Sequence, residues 1–442
     1  MGTIERLFQP RRYLSGPDWV AGLLDYSLQR STCAGNTFQV VMKLGSPVDA
    51  DLLARKLSRF MEAFPIVAGE VARNYMNLAP YWKFTDTPRP DYYTLSIHRE
   101  EEIEAQGGAQ NALEGVGNIP FANRNQHMAF HLLTAGSDDH YFTLVADHKL
   151  FDAKGAEMFM DMFRRYSVDE DLADICGGIP SSSPAGLTEW MDKFRAGQAV
   201  NRKLLAMSRL SSRALPTPAQ GRHGKVRFRH IIFDKEQTAR IYDSAYSQAG
   251  YLMEMPYLLA TVVQVVDLLF PDTGAGDSYT TPVTTDLRAN EDPKQELFFN
   301  HFSFLMLQFP VEMARSRGDL IKSIKSQMFE QVRDDLPKKF AKASMLLRIA
   351  PFSVLDSLPG VLHKRPFSFS FAYLGKSKGK SFRLLESEVE NIFHLPRVPL
   401  PPGLGIYFSQ FDGRLNATIS WIEGILHDQE VDMAERELRN RL

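Results

Sequence analysis

Cysteine is nearly absent from this chain: Cys33 and Cys176 are the only two in 442 residues, far apart and in no metal-like spacing. That argues against a disulfide framework and against a cysteine-based zinc site, and it sets a reducing compartment as the default. Excess charge of one sign is missing as well. The 51 basic and 53 acidic residues leave a net charge of −2, so nothing advertises a polyelectrolyte partner and nucleic acid is not expected. No stretch reaches the roughly 18 uninterrupted apolar residues of a transmembrane helix. The longest apolar helical stretch, 256–270, is broken by Gln264 and Asp267 and reads as a core helix. Met1 to Arg6 contain neither a basic region with an apolar follow-on nor a Ser or Thr at the sixth position, so the expectation is a soluble, cytoplasmic protein. Without such a leader, the sequon Asn416-Ala417-Thr418 carries no weight. There is no G-x-S-x-G elbow to support a covalent serine route, and no repeat of fixed period. The run Gly375-Lys376-Ser377-Lys378-Gly379-Lys380-Ser381 evokes a phosphate-binding loop, but its glycines are four apart instead of five. It reads as a basic flexible loop.

What is present is enough apolar material for a large core: 44% hydrophobic and 11% aromatic residues over 442 positions imply two domains or two lobes of one. Strands and helices alternate. The pattern predicts helices over 19–26 and 50–63 and strands over 38–44, 95–98, 128–133 and 141–146 in the first part. Composition then breaks. Residues 176–186 are rich in Gly, Ser and Pro, and 211–225 in Ser, Pro, Ala and basic residues, with a helix expected over 188–208 between them. These boundaries divide the chain into a first lobe over 1–176, a crossover over 177–224 and a second lobe over 225–442. The second lobe opens with a strand over 226–233 and a helix over 234–249, for which Asp234 and Gln237 offer a capping box. A helix over 257–270, a strand over 280–287, a strand over 369–375 and a hairpin turning at Asp412-Gly413 complete the reading.

The chemistry is concentrated in Asp147-His148-Lys149-Leu150-Phe151-Asp152-Ala153. His148 follows the strand over 141–146, and Ala156, Phe159, Met160, Phe163 and Tyr166 recur at helical spacing behind it, predicting a helix over 154–166 with Asp152 near its start. An imidazole at a strand end is held by the sheet and left accessible by the turn, which suits a general base. From the residues alone, a core histidine that only hydrogen-bonds remains the competing reading.

Along most of its length the chain resembles the condensation-domain and CoA-dependent acyltransferase superfamily, with the chloramphenicol acetyltransferase-like fold. The family core HHxxxDG appears here as DHKLFDA, its second His on His148 and its Asp on Asp152. A helix followed by Phe64-Pro65-Ile66-Val67-Ala68-Gly69, the apolar strand at 128–133, Asp286-Leu287-Arg288, Phe298-Phe299-Asn300 and the strand end Phe369 to Gly375 occupy the places of further family features. Two positions depart: Asp147 stands at the first His, and Ala153 at the Gly. Strand alternation points residue 147 away from the face of His148. Loss of the Gly leaves the turn geometry around Asp152 open.

The resemblance implies an α/β fold of two lobes, each a mixed sheet flanked by helices, with an active-site tunnel at their interface. It implies an acyltransferase that moves an acyl group from a CoA or carrier-protein thioester to a hydroxyl or amine. His148 is then the general base, without a covalent enzyme intermediate, and no cofactor is needed beyond the thioester co-substrate. Asp152 is implied to be structural, paired with Arg288, whose alternative is a solvated surface arginine. Ser370, Tyr373 and Asn300 are the candidates for substrate or oxyanion contacts. Asp147, His148 and Asp152 do not form a metal set, because alternation separates the first two. A carrier protein acting in trans is a possible partner. A catalytically silent member that binds an acyl ligand or carrier protein is the alternative.

Overall fold

The computed structural model describes residues 12–73, 80–83, 92–136, 138–167, 189–216, 224–270, 276–288, 296–362, 367–377 and 382–442. Cys176, the stretch 176–186, part of the stretch 211–225 (217–223), residues 1–6 and the tip 378–381 of the basic loop lie outside the described residues. In chain order the strands are β1 (Arg12–Tyr13), β2 (Thr37–Leu44), β3 (Glu70–Arg73), β4 (Pro80–Lys83), β5 (Tyr93–His98), β6 (Met128–Ala135) and β7 (Asp139–Asp147). They continue with β8 (Val226–Phe233), β9 (Ser278–Asp286), β10 (Phe302–Pro310), β11 (Ser370–Lys376), β12 (Arg383–Leu384), β13 (Ser387–Pro396), β14 (Leu404–Phe411) and β15 (Arg414–Ile422). The helices that bear on the site are α1 (Gly16–Ser31), α2 (Ala50–Met61), α3 (Glu100–Ala105), α4 (Ala109–Gly117) and α5 (Ala153–Arg165).

Two mixed sheets of six strands carry the fold, in the orders β12-β13-β2-β7-β6-β5 and β10-β9-β11-β14-β15-β8, beside a small sheet β1-β4-β3. The centre of the first sheet is buried on both faces, as a sheet covered on both sides requires. Phe38, Val40, Met42, Phe130, Leu132, Phe142 and Leu144 face the core beneath α2 and α5, where Phe60 packs edge to face on Phe159 and tilted against Phe163. On the opposite face, Val41 and Leu133 reach the core of the second sheet. Gln39 is buried there too, and it is satisfied by donating to the Leu113 carbonyl at 2.9 Å. The second sheet wraps the helix Glu254–Leu269, which is buried along almost its whole length.

Several local expectations match closely. The strand expected at 226–233 is Val226–Phe233, and Asp234 with Gln237 forms the capping box, the two bonds being 2.7 and 2.9 Å. At the β14–β15 turn both Asp412 and Gly413 have positive φ, 44° and 79°, the backbone a two-residue hairpin demands.

Two strands cross the division expected at 225. β12 and β13, although they follow β11 of the second sheet in the chain, belong to the first sheet, where β13 pairs antiparallel with β2 from Pro396↔Phe38 to Val389↔Leu44. The chain then returns to the second sheet as β14. β13 serves both cores, with Ile392 in the first and Phe393 and Leu395 in the second. The lobes are therefore interlocked by a shared strand, a pairing that local sequence pattern does not encode.

Candidate active site

The site is built from the end of β7 inward. Asp147 closes the strand, residues 148–150 turn, and Asp152 caps α5 by accepting from Gly155 N at 2.8 Å. Ala153 is the first residue of α5 and has no left-handed backbone, so the position taken by glycine in the resembled motif makes no such demand here. The glycine that matters is Gly155: a Cβ there would lie 2.2 Å from the Leu297 carbonyl oxygen, so its absence lets α5 dock against 296–299.

Four contacts fix His148. Its N–H donates to the Asn36 carbonyl at 3.0 Å, its carbonyl accepts from Asn300 Nδ2 at 2.7 Å, and its ring lies 4.3 Å from that of Phe38. Nδ1 lies 3.1 Å from the Phe151 carbonyl. Because a carbonyl only accepts, Nδ1 carries the proton and Nε2 keeps a free lone pair. Among the described residues Nε2 has no hydrogen-bond partner. Burial lowers the pKa of His148, and Asp152, Asp147 and the Phe151 carbonyl oppose that shift without cancelling it. The ring is thus kept neutral, the form that accepts a proton.

Asp152 and Arg288, 136 positions apart, meet as a buried ion pair, Arg288 Nη2 donating to Asp152 Oδ1 at 2.7 Å. Asp152 Oδ2 accepts from His301 N at 2.9 Å, and Arg288 also reaches Asp286 Oδ1 and the Glu296 carbonyl. Burial disfavours the guanidinium charge, but Asp152 and Asp286 outweigh it and raise the pKa of Arg288. The pair ties the start of α5 to the strand β9 and to the segment carrying Asn300.

Asn300 has another occupation than oxyanion stabilisation. Nδ2 donates to both His148 O and Asp18 Oδ1, the latter at 3.1 Å, and its own N–H donates to Asp18 Oδ1 at 2.9 Å. Its amide protons are committed, so it braces the His148 backbone. Phe299, just before it, is buried with φ of 73°, an uncommon conformation for a bulky residue that turns Asn300 toward His148. Asp18 was not singled out by the sequence reading. Its second oxygen accepts from Ser15 N and Oγ at 2.8 Å each, the first of these being half of the capping box of α1, so one carboxylate joins a helix start to Asn300 and through it to the turn at His148. The Ser15-x-x-Asp18 spacing ahead of Trp19 was the available signal.

Tyr373 is likewise committed elsewhere. Tyr242 gives its single proton to Gln410 Oε1 at 2.8 Å, so Tyr373 donates to Tyr242 across 3.2 Å and faces the second core with Phe371. Ser370, an odd number of residues away on β11, hydrogen-bonds the phenol of Tyr407. Among the described residues neither of the two is hydrogen-bonded to His148.

Asp147 lies in a buried cluster beside His148. Its Oδ2 is 2.8 Å from His127 Nδ1 and 3.3 Å from Lys149 Nζ, and Oδ1 accepts from Lys149 N. His127 Nε2 faces the Gly69 carbonyl at 2.9 Å, so both of its ring nitrogens meet oxygen acceptors. Lys149 also pairs with Asp25 at 2.9 Å. Burial pushes the Asp147 carboxyl up, but Lys149 and His127 prevail and hold it at about 2. Further along α5, Glu157 is held at about 2 because His394 of β13 and Lys154 outweigh its burial. Among the described residues no three His, Cys, Asp or Glu are grouped to hold a metal ion, and no single helix is long and apolar enough to cross a membrane.

No protein-family model matches the sequence, and no curated protein matches it. Solved structures do. The first condensation domain of the calcium-dependent antibiotic synthetase aligns with a TM-score of 0.68 at 13% identity, over 98% of this chain and 95% of that one. TRI3 trichothecene 15-O-acetyltransferase from Fusarium sporotrichioides aligns at 0.67 and 13%, over 98% and 95%. The epimerization domain of the third module of tyrocidine synthetase B aligns at 0.62 and 14%, over 98% and 96%. At such identities the likeness speaks for architecture over the whole length, and the chain has the two-lobed, chloramphenicol acetyltransferase-like fold of the condensation domains.

Proposed function

We propose that the protein transfers an acyl group directly from a CoA or carrier-protein thioester to a hydroxyl or amine acceptor, with His148 as the general base. The observation that carries this reading is the free Nε2 of His148, on a ring held neutral by burial and fixed through Nδ1 and both backbone groups. One fold hosts many chemistries, and an epimerization domain stands among its structural neighbours, so the site must carry the argument.

The acceptor's O–H or N–H loses its proton to Nε2 as its oxygen or nitrogen attacks the thioester carbonyl. The resulting oxyanion collapses, the C–S bond breaks, and the imidazolium returns the proton to the departing thiolate. No covalent bond to the protein forms. A base of this kind contributes about 10²–10⁴ in rate. Asp152 and Arg288 hold the turn, and the three oxyanion candidates have other partners: Asn300 engages Asp18, Tyr373 engages Tyr242 and Ser370 engages Tyr407.

The test is thiol release from a panel of acyl-CoAs and carrier-bound acyl groups with pooled alcohols and amines. Acceptor-dependent release that falls by at least about 10² in His148→Ala is expected. Release unchanged in a folded variant overturns His148 as base, and no release from wild type with either donor overturns the transferase reading in favour of a binding module.

A further inference from the structure

The crossover helix Trp190–Met207 is apolar on two sides. Lys193, Ala196 and Val200 face the protein, with Leu204 and Met207 packed beside Val200, whereas Trp190, Met191, Phe194 and Leu205 are between 38% and 65% exposed. A surface helix of a soluble protein keeps its outer side polar. At 3.6 residues per turn these four side chains share a sector of about 100° and a length of about 22 Å. Gln198 and Asn201 lie between them, exposed and uncharged. Trp190 and Phe194 adjoin with ring centroids 6.3 Å apart, and Trp190 is flanked from within by Lys193 Nζ at 5.2 Å and the Arg348 guanidinium at 4.9 Å.

Beyond Asp192 the charge along this helix is of one sign. No Asp or Glu occurs between Asp192 and Asp234, a span that includes Arg195, Arg202, Lys203, Arg209 and Arg213 in a chain whose net charge is −2. Arg195 pairs only with exposed Asp192, at 3.5 Å. The side chains of Arg202, Lys203 and Arg209 have no partner among the described residues. Arg195 and Arg202 border the apolar sector on the Met191 side.

We infer that this helix face seats the protein on an anionic lipid surface. Aromatic and aliphatic side chains on an exposed helix face, bordered by Arg195 and Arg202, match the boundary between acyl chains and anionic headgroups. A second copy fits poorly, because a two-fold contact through the stripe sets Arg195 and Arg202 against their own images. The inference goes beyond the acyl-transfer reading and does not depend on it.

The full chain carries its own reporter. Of its four tryptophans Trp19, Trp82 and Trp421 are buried, which leaves Trp190 within reach of a bilayer. The protein is mixed with phosphatidylcholine vesicles, with and without phosphatidylglycerol, and binding is read by flotation and by quenching of tryptophan emission with brominated acyl chains. Salt-sensitive binding to the anionic vesicles alone is expected, with quenching lost in Trp190→Phe. Binding is expected to weaken by about tenfold or more both in Met191→Glu/Phe194→Glu and in Arg202→Glu/Arg209→Glu. Absence of binding to anionic vesicles at low salt overturns the proposal, as does binding that survives both double variants. A concentration-dependent dimer dissolved by Met191→Glu/Phe194→Glu overturns it in favour of self-association. A soluble acidic protein that competes for the stripe in the absence of any vesicle binding overturns it in favour of a protein partner.

Discussion

Removing the Asp152 carboxylate should cost more than removing its arginine, and the difference follows from what each side keeps. Asp152→Ala deletes the cap on Gly155 N, the bond to His301 N and the ion pair at once. A cap contributes about 1 kcal/mol, and breaking a buried pair by removing one partner costs about 3–5 kcal/mol. Arg288 is not left wholly stranded, since Asp286 Oδ1 remains at 3.1 Å, so a total of about 4 kcal/mol is expected. In Arg288→Met the carboxylate keeps two backbone donors and the aliphatic stem is preserved, which brings the expected loss nearer to about 2–3 kcal/mol. The double variant should lose less than the sum, with a coupling of about 2 kcal/mol.

Urea denaturation of the four proteins measures these quantities, and acyl transfer well below each unfolding midpoint separates scaffold from chemistry. The folded Asp152→Ala protein should keep kcat within about tenfold of wild type, against about 10²–10⁴ lost on removing the base. An Arg288→Met cost equal to or above that of Asp152→Ala refutes the reasoning. So does coupling below about 0.5 kcal/mol, which means the two residues act independently.

Asn300→Asp should be more harmful than Asn300→Ala, because the new carboxylate faces Asp18 Oδ1 and the His148 carbonyl, both acceptors; the ranking of the two by thermal denaturation decides. Asp147→His, which installs the residue of the resembled motif, should destabilise by about 3–5 kcal/mol, since it leaves His127 and Lys149 around a buried site without its carboxylate; a urea midpoint equal to wild type refutes this. Burial lowers the pKa of His230 from 6.5 to about 4. A depressed value means stability fully present above 6.5 and lost as the pH falls toward about 4, so His230→Phe should flatten that decline in urea midpoint; identical slopes in both proteins count against the assignment.

The sequence was informative wherever the signal was local. Periodicity placed the helix beginning at Ala153 and the strand Val226–Phe233 almost to the residue, and Asp234 with Gln237 and Asp412 with Gly413 announced their cap and turn. The pairing of Asp152 with Arg288 came only through resemblance, because nothing within either segment specifies a partner 136 positions away. The exchange of β13 into the first sheet was illegible for the same reason: a strand's pattern states that it is buried, not against which neighbour. Tyr373 could have been placed from its own strand, since it shares the face of Phe371, whose burial marks the core side.

Position 147 explains why the two departures from the motif leave His148 in place. The geometry of His148 is set by its own N–H, its own carbonyl and the Phe151 carbonyl, none of which passes through the side chain of residue 147. That side chain instead belongs to a buried charge cluster, and there the imidazole comes from His127, next to β6, to meet a carboxylate at the end of β7. Charge and hydrogen bonding stay balanced across the two neighbouring strands. Ala153 is accommodated in the same sense, because the close approach that tolerates no Cβ falls two residues later, at Gly155. Substitutions at the motif's edges are thus absorbed by neighbours, whereas His148, Asp152 and Asn300 make contacts that no adjacent group duplicates.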